Sequence, residues 1–433
     1  MPEFRTALPA VPSALMASAL AAATTLAQPC DPTEIFRPQT AYDAGDGPVS
    51  IVVGDLDGDG DGDLAVVNAF DDTVVTLRND GVGAFVRVGR YVVGTLPTSI
   101  AIADLDGDGS PDLAVTNFQD DTMSVLLNEG DGSFADSVEY DIERSPASVS
   151  AADLDGDGNV DLVTTNIGND TVSVLLNNGD GTFAPEIHYA AGDQPQVAAI
   201  GDLDGDGDPD IAVPNFSSDT VSVFLNDGAG TLTSEQQYRA GSFPWSMSLG
   251  DLDADGDADL AITNLDGTVS VLPNPGDGTF DVRVPYDVGI SPQSVAIADL
   301  NSDGAPDLAV ANDASDDLSV LLNTGDGTFT TQVLYGVGEN PASIAVADFD
   351  TDGDADLAIT NSNDDAVGVL LNQCGPFRCR VDLDGDGEAT VFDFFEFLNL
   401  FDAGSPIADF DGDGALTLFD FIEFQKAFDT GCP

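Results

Sequence analysis

Residues 104–116 read Asp104-Leu105-Asp106-Gly107-Asp108-Gly109-Ser110-Pro111-Asp112-Leu113-Ala114-Val115-Thr116. Aspartates stand at positions 1, 3, 5 and 9 of a loop with glycine at position 6, and an apolar run follows at once. Carboxylates this close repel one another unless a cation neutralises them. Oxygen-only donors on a flexible loop, with no His or Cys, select calcium over zinc or copper. A solvated acidic turn is the alternative for a single copy. The loop recurs, however, with first aspartates at Asp55, Asp104, Asp153, Asp202, Asp251, Asp299 and Asp348. Successive copies are 49 residues apart, except for one interval of 48. A solvated turn does not explain seven copies at fixed spacing.

The expected ligands are therefore Asp55, Asp57, Asp59 and Asp63; Asp104, Asp106, Asp108 and Asp112; Asp153, Asp155, Asp157 and Asp161; and Asp202, Asp204, Asp206 and Asp210. The last three loops add Asp251, Asp253, Asp255 and Asp259; Asp299, Asn301, Asp303 and Asp307; and Asp348, Asp350, Asp352 and Asp356. Position 7 varies freely, as Asp61, Ser110, Asn159, Asp208, Asp257, Ala305 and Asp354, which fits a residue offering only its backbone carbonyl. Asn301 at position 3 is expected to weaken the sixth loop.

Between loops the pattern is short strands and turns. In one unit the expected strands are Ser99 to Ala103, Leu113 to Thr116, Met123 to Leu127 and Phe134 to Tyr140. A second landmark, an aromatic or leucine six residues before a tyrosine, also occurs seven times: Phe36/Tyr42, Phe85/Tyr91, Phe134/Tyr140, Phe183/Tyr189, Leu232/Tyr238, Phe280/Tyr286 and Phe329/Tyr335. Four strands in about 49 residues is the unit of a β-propeller blade. The chain starts with a lone fourth strand, 36–42, and its seventh unit stops after a third strand at Leu371-Asn372. Seven complete units exist only if the first segment completes the last. The expected fold is mainly β, a seven-bladed propeller over residues 28–374, closed by the N-terminal strand. An open stack of sandwiches is the alternative.

The 433 residues carry 78 acids against 11 bases, a net charge of −67, and a single histidine. Such a field excludes nucleic acid and anionic membranes as partners and suits cations. At 42 % hydrophobic the chain still holds a large core. Residues 1–27 end in the apolar run 14–27, with Thr25-Leu26-Ala27 fitting signal cleavage after Ala27. No later segment is continuously apolar over a membrane-spanning length. The protein is thus expected to be secreted or at a cell surface. The four cysteines are then expected to pair as Cys30–Cys374, across the closing strands, and Cys379–Cys432, around the C-terminal module.

The repeat units resemble FG-GAP/VCBS repeats, the calcium-binding blades of integrin-alpha-type propellers. That resemblance covers Phe36 to Asn372. It implies a loop joining the first two strands of each blade and holding about seven calcium ions in all. The family includes adhesion proteins, lectins and modules attached to enzymes, so it fixes fold better than function.

Residues 379–433 change pattern. Two twelve-residue loops offer Asp382, Asp384, Asp386, Glu388, Thr390 and Asp393, then Asp409, Asp411, Asp413, Ala415, Thr417 and Asp420, in EF-hand order with Asp at position 12. Each runs into a stretch of helical periodicity, 394–401 and 421–428. The pair resembles the GC-type dockerins of secreted bacterial proteins. It implies two further calcium ions and a cohesin-like or cell-envelope receptor. Loop positions 10 and 11 are Val391-Phe392 and Leu418-Phe419, where cellulosomal dockerins carry polar recognition residues. A calcium-stapled cap with no partner is the alternative.

No catalytic constellation stands out. His188 lies in an outer-strand position held by Glu139 and Pro285 in sister units. The expected function is a secreted, non-enzymatic binding or adhesion module for carbohydrate or protein, attached through its C-terminal domain. An extracellular polysaccharide-degrading enzyme, or its accessory subunit, is the alternative. A ligand surface is expected opposite the acidic loops, near Phe70, Phe118, Phe216 and Trp245. Trp245 is the candidate for stacking on a ligand, with packing between blades as its other reading.

Overall fold

A computed structural model describes residues 32–233 and 235–374, together with Phe394, Phe397, Leu398, Phe401 and Phe424. Its 28 strands form seven four-stranded antiparallel sheets. The chain enters with β1 (Thr40–Asp43) and then runs the first blade as β2 (Pro48–Gly54), β3 (Asp63–Asn68), β4 (Thr73–Asn79) and β5 (Phe85–Val92). The seventh blade is β26 (Pro341–Ala347), β27 (Asp356–Asn361) and β28 (Ala366–Leu370), completed by β1. Thr40 faces Val369 and Asp43 faces Ala366, and a bridge between Phe36 and Asn372 extends the ladder. The ring closes as the landmarks require, and the open-stack alternative is excluded.

Second strands are buried along their whole length, because each lies inside its own sheet with a neighbouring blade on either face. First strands line the axis. There Ile200, Leu249, Ile297 and Val346 border a cavity of about 430 Å³. Small residues at this radius follow from crowding: a Cβ on Gly54 would stand 2.5 Å from Ile102 Cδ1 of the next blade.

In every blade but the first, where it spans Phe85–Val92, the fourth strand is shorter than its sequence suggests. In the second blade it spans Val138–Asp141, and Phe134 makes only an isolated bridge to Asn128. Phe134 turns inward and meets Tyr91 of the preceding blade edge-on, with ring centroids 5.3 Å apart. The same contact joins Phe36 to Tyr335, Phe85 to Tyr42, Phe183 to Tyr140, Phe280 to Tyr238 and Phe329 to Tyr286, at 5.3–5.5 Å. Where Leu232 replaces the phenylalanine, Tyr189 turns to Phe224 at 6.4 Å. Each such pair is worth about 0.5–1.5 kcal/mol beyond its buried area.

Cys374 is disulfide-bonded and buried, and its partner lies outside the described residues, as do Cys30, Cys379 and Cys432. The signal segment 1–27 and all twelve ligand positions of the C-terminal loops also lie outside them. At the five described C-terminal positions the backbone is helical, and Phe397 stacks on Phe424 at 4.1 Å. Among the described residues no helix is long and apolar enough to cross a membrane.

Ring closure makes a direct prediction. A chain starting at Ala44 lacks β1 and leaves β28 as an open edge, a template for pairing with another chain. Size-exclusion chromatography should show self-association and urea unfolding a lower midpoint. Adding the 32–43 peptide should reverse both. A monomer of unchanged midpoint would mean that β1 is dispensable.

Candidate metal centre

In all seven units the acidic loop joins the first and second strands, so all seven lie on one face of the ring. Backbone N–H groups fix the first loop's side chains. Gly58 and Gly60 donate to the two oxygens of Asp55 at 2.8 and 3.1 Å. Asp59 N–H donates to Asp57 Oδ1, and Asp61 N–H to Asp59 Oδ1. One oxygen of each of Asp57 and Asp59 thus remains free of these bonds. Wrapping the chain this tightly needs positive φ at position 6, and the glycine there has φ between 90° and 99° in every loop.

Carboxylate oxygens of Asp55, Asp57 and Asp63 lie within 4.8 Å of one another. So do those of Asp104, Asp106 and Asp108, of Asp153, Asp155 and Asp161, and of Asp202, Asp204 and Asp206. In the seventh loop Asp350 Oδ1 is buried with no hydrogen-bond partner. Hard oxygen donors, converging and lacking internal bases, fit a divalent hard cation. The first loop has a nearby rival, since Arg78 stands 3.7 Å from Asp57. In the sixth loop Asn301 Oδ1 accepts the Asp303 N–H and its Nδ2 donates to Asp303 Oδ2, as Asn159 Nδ2 does to Asp157 Oδ2 in the third loop.

Position 9 has a structural duty that spacing alone did not reveal. Asp161 Oδ2 accepts the Leu154 N–H at 2.9 Å and Oδ1 the Asn177 N–H at 2.7 Å. Asn177 Nδ2 then donates to Val160 O of its own loop and to Leu105 O of the preceding blade's loop. The cross-blade bond recurs at every boundary: Asn79 to Phe349, Asn128 to Leu56, Asn226 to Leu154, Asn274 to Leu203, Asn323 to Leu252 and Asn372 to Leu300, at 2.8–3.0 Å. These asparagines recur with the repeat, 15 or 16 residues after each position-9 aspartate, so a period search extended to asparagine would have found them.

Burial raises the position-9 carboxyls. Desolvation is the largest cause, partly offset by the two N–H donors. Asp63, Asp112, Asp210 and Asp259 are pushed to about 6, Asp307 and Asp356 to about 7, and Asp161 upward.

The opposite face carries the turns between second and third strands and the connections between blades. Trp245 meets Phe216 of the preceding blade edge-on at 5.8 Å and is half-buried, so packing accounts for much of it. The open ring is its neighbour Phe243, 50 % exposed. Phe70 is exposed, and Phe118 is half-buried. His188 sits at the rim between Glu143 and Glu186, 3.7 and 3.8 Å away, with Ser173 Oγ 3.0 Å from Nδ1. Ser173, the hydroxyl of this group, is itself fully buried in its sheet.

The chain belongs to the FG-GAP-like repeat family, whose repeat matches residues 55–115, 104–164, 153–213, 215–262, 251–310 and 299–359. No curated protein is significantly similar in sequence. Several solved structures share the fold. BBS1N, solved in complex with ARL6DN, is 12 % identical with a TM-score of 0.59, over 79 % of this chain and 98 % of its own. Virginiamycin B lyase from Staphylococcus aureus is 12 % identical with a TM-score of 0.55, over 78 % and 99 %. The periplasmic gluconolactonase of Pseudomonas aeruginosa is 21 % identical with a TM-score of 0.51, over 67 % and 86 %. At these identities the likeness is one of fold.

Two predictions follow from the site. Asn177→Ala removes three side-chain bonds, two donated to the Leu105 and Val160 carbonyls and one accepted from the Gly179 N–H; it should cost about 2–4 kcal/mol in urea unfolding. Asn178→Ala, on the exposed neighbour, should stay within about 0.5 kcal/mol.

The second concerns pH in the absence of metal. A carboxyl whose folded value lies above its unfolded value keeps a proton that the unfolded chain has already lost. Stability then falls as pH rises from about 4 through about 7. Chelated protein should therefore have a lower urea midpoint at pH 7.5 than at pH 5. A midpoint that holds or rises would contradict the raised values.

Proposed function

We infer that this chain is a secreted, calcium-stabilised propeller that binds rather than transforms its ligand. The observation carrying this reading is the convergence of pre-oriented carboxylates in loop after loop, on one face, at the points where neighbouring blades are clasped. The ligands are the carboxylates at positions 1, 3, 5 and 9, with Asn301 in the sixth loop. Calcium held there would supply the positive charge that these carboxylates lack. The loop backbone, already fixed by its own N–H groups, would then tie the first strand to the second and, through the asparagines, each blade to the next.

The C-terminal module, with its two EF-hand-type loops, serves as the attachment, to a cohesin-like or cell-envelope receptor. The pairings Cys30–Cys374 and Cys379–Cys432 complete the design. Antiparallel pairing of β1 with β28 supports the first, because it carries the chain before Ile35 alongside Gln373, next to Cys374. Peptide mapping without reduction reads both pairings, and a Cys30–Cys432 bridge would refute them. The ligand is carbohydrate or protein. Among solved neighbours, an Agrocybe aegerita lectin of 21 % identity recognises non-reducing terminal N-acetylglucosamine. Gluconolactonase and lyase neighbours keep the enzymatic reading in view.

Calcium titration tests the core of the proposal. The melting temperature should climb with calcium concentration and drop in chelator, because an ion that binds only the folded state stabilises by mass action. An unchanged melting temperature would sink it. Incubation with polysaccharides should give retention without shorter products; turnover would favour the enzyme.

A further inference from the structure

Seven connections between blades place one residue in the left-handed region immediately before a proline: Gly47, Leu96, Ser145, Gln194, Phe243, Ser291 and Asn340, with φ between 53° and 67°. Their backbone duty is shared. At six boundaries the N–H donates to an aspartate of the preceding blade, as Phe243 does to Asp219 Oδ1 at 2.9 Å. Glycine, serine or asparagine serves that duty, and a bulky ring is the least comfortable choice for it. Phe243 is nonetheless there, with its ring half in solvent.

Its neighbours make it part of a surface. Phe216, on the turn between the second and third strands of blade four, lies 5.3 Å from Phe243 at 40° and 5.8 Å from Trp245 at 80°. Trp245 stands where sister units carry Val49, Thr98, Ala147, Gln196, Gln293 and Ala342. Three rings therefore gather at the blade 4–5 boundary. Asp193, Asp219 and Asp266 around them are exposed. Arg239, opposite Thr220 in the ladder, makes no ion pair or ring contact among the described residues.

We propose that the Phe216–Phe243–Trp245 platform receives lysine or arginine side chains of a basic protein partner. Aromatic faces attract a cation held over them. A molecule of net charge −67 draws basic partners over long range and repels acidic ones. Phe243 offers its ring at the surface, 50 % exposed, with Phe216 and Trp245 half-buried beside it, which suits a side chain presented by a larger partner. Three rings cover far less than a stable protein interface, so they act as the anchor of a wider electrostatic contact.

Trp245 is the only tryptophan, so its fluorescence reports on this spot alone. The probe is a labelled Arg-Gly decapeptide, added to the full chain in calcium. Binding should shift Trp245 emission. Phe243→Ser should weaken binding about five-fold or more. Serine occupies the same backbone position at Ser145 and Ser291, so the variant should fold, which its melting temperature checks. Leu96→Ser makes the equivalent change on the same face without touching the rings, and should leave affinity unchanged. Choline should bind more weakly than the peptide. The proposal is overturned if the peptide does not bind, if emission is unmoved at saturation, or if both variants behave alike, which would mean diffuse charge attraction. It is equally overturned if cellohexaose shifts emission where the peptide does not, which would make the platform a sugar site.

Discussion

The ring depends on a bond that crosses every blade boundary on the acidic face. An asparagine at the end of each third strand gives its amide to the carbonyl at loop position 2 in the blade before, as Asn128 does to Leu56 and Asn79 to Phe349. Its own N–H is held by the position-9 aspartate, whose other oxygen holds position 2 of the same loop. One buried carboxylate and one buried amide therefore join two turns of one blade to the loop of another. Buried polar groups are costly unless paired, so the network disfavours any arrangement that leaves a member without its neighbour. The last link, from Asn372 to Leu300, is made like the rest.

The same arrangement concentrates charge. Position 9 needs a carboxylate for the clasp, and positions 1, 3 and 5 need acceptors for the loop's N–H groups. Four acids thus fall within a few residues in six places, and three beside Asn301 in the sixth loop. Burial makes the position-9 groups reluctant to ionise, and their neighbours add repulsion. A fold that gathers acids for geometric reasons has created sites whose electrostatics ask for a cation. The clasp between blades and the crowding of negative charge are in this sense one property of the loop.

The opposite face works under looser rules. At six boundaries one aspartate there accepts a single N–H from the connection to the next blade, and the fifth turn, shortened by one residue at Asn264-Leu265-Asp266-Gly267-Thr268, turns its Asp266 to Thr268 instead. That boundary still holds through its apolar contacts, including the Tyr286–Phe329 and Val269–Val295 neighbourhood. A face that tolerates such a change can also tolerate unusual side chains, and Phe243 and Trp245 are found there.

The sequence by itself determined the period, the number of blades, the closing strand and the loop donors. These are local or repetitive properties: a 49-residue spacing counts units, and Asp-x-Asp-x-Asp-Gly declares its chemistry wherever it lies. It could not show that Phe134 leaves its strand to meet Tyr91, because that partner is 43 residues away in another blade. Nor could it show that the position-9 aspartate clasps a boundary, since its bonds run to backbone groups, which all residues share. Trp245 was visible as a residue, but Phe243 as the open ring was not, because exposure depends on the left-handed turn before Pro244 and on Phe216 arriving from the preceding blade. Contacts between blades are set by the rotation of one sheet against the next, and only the closed ring fixes that rotation.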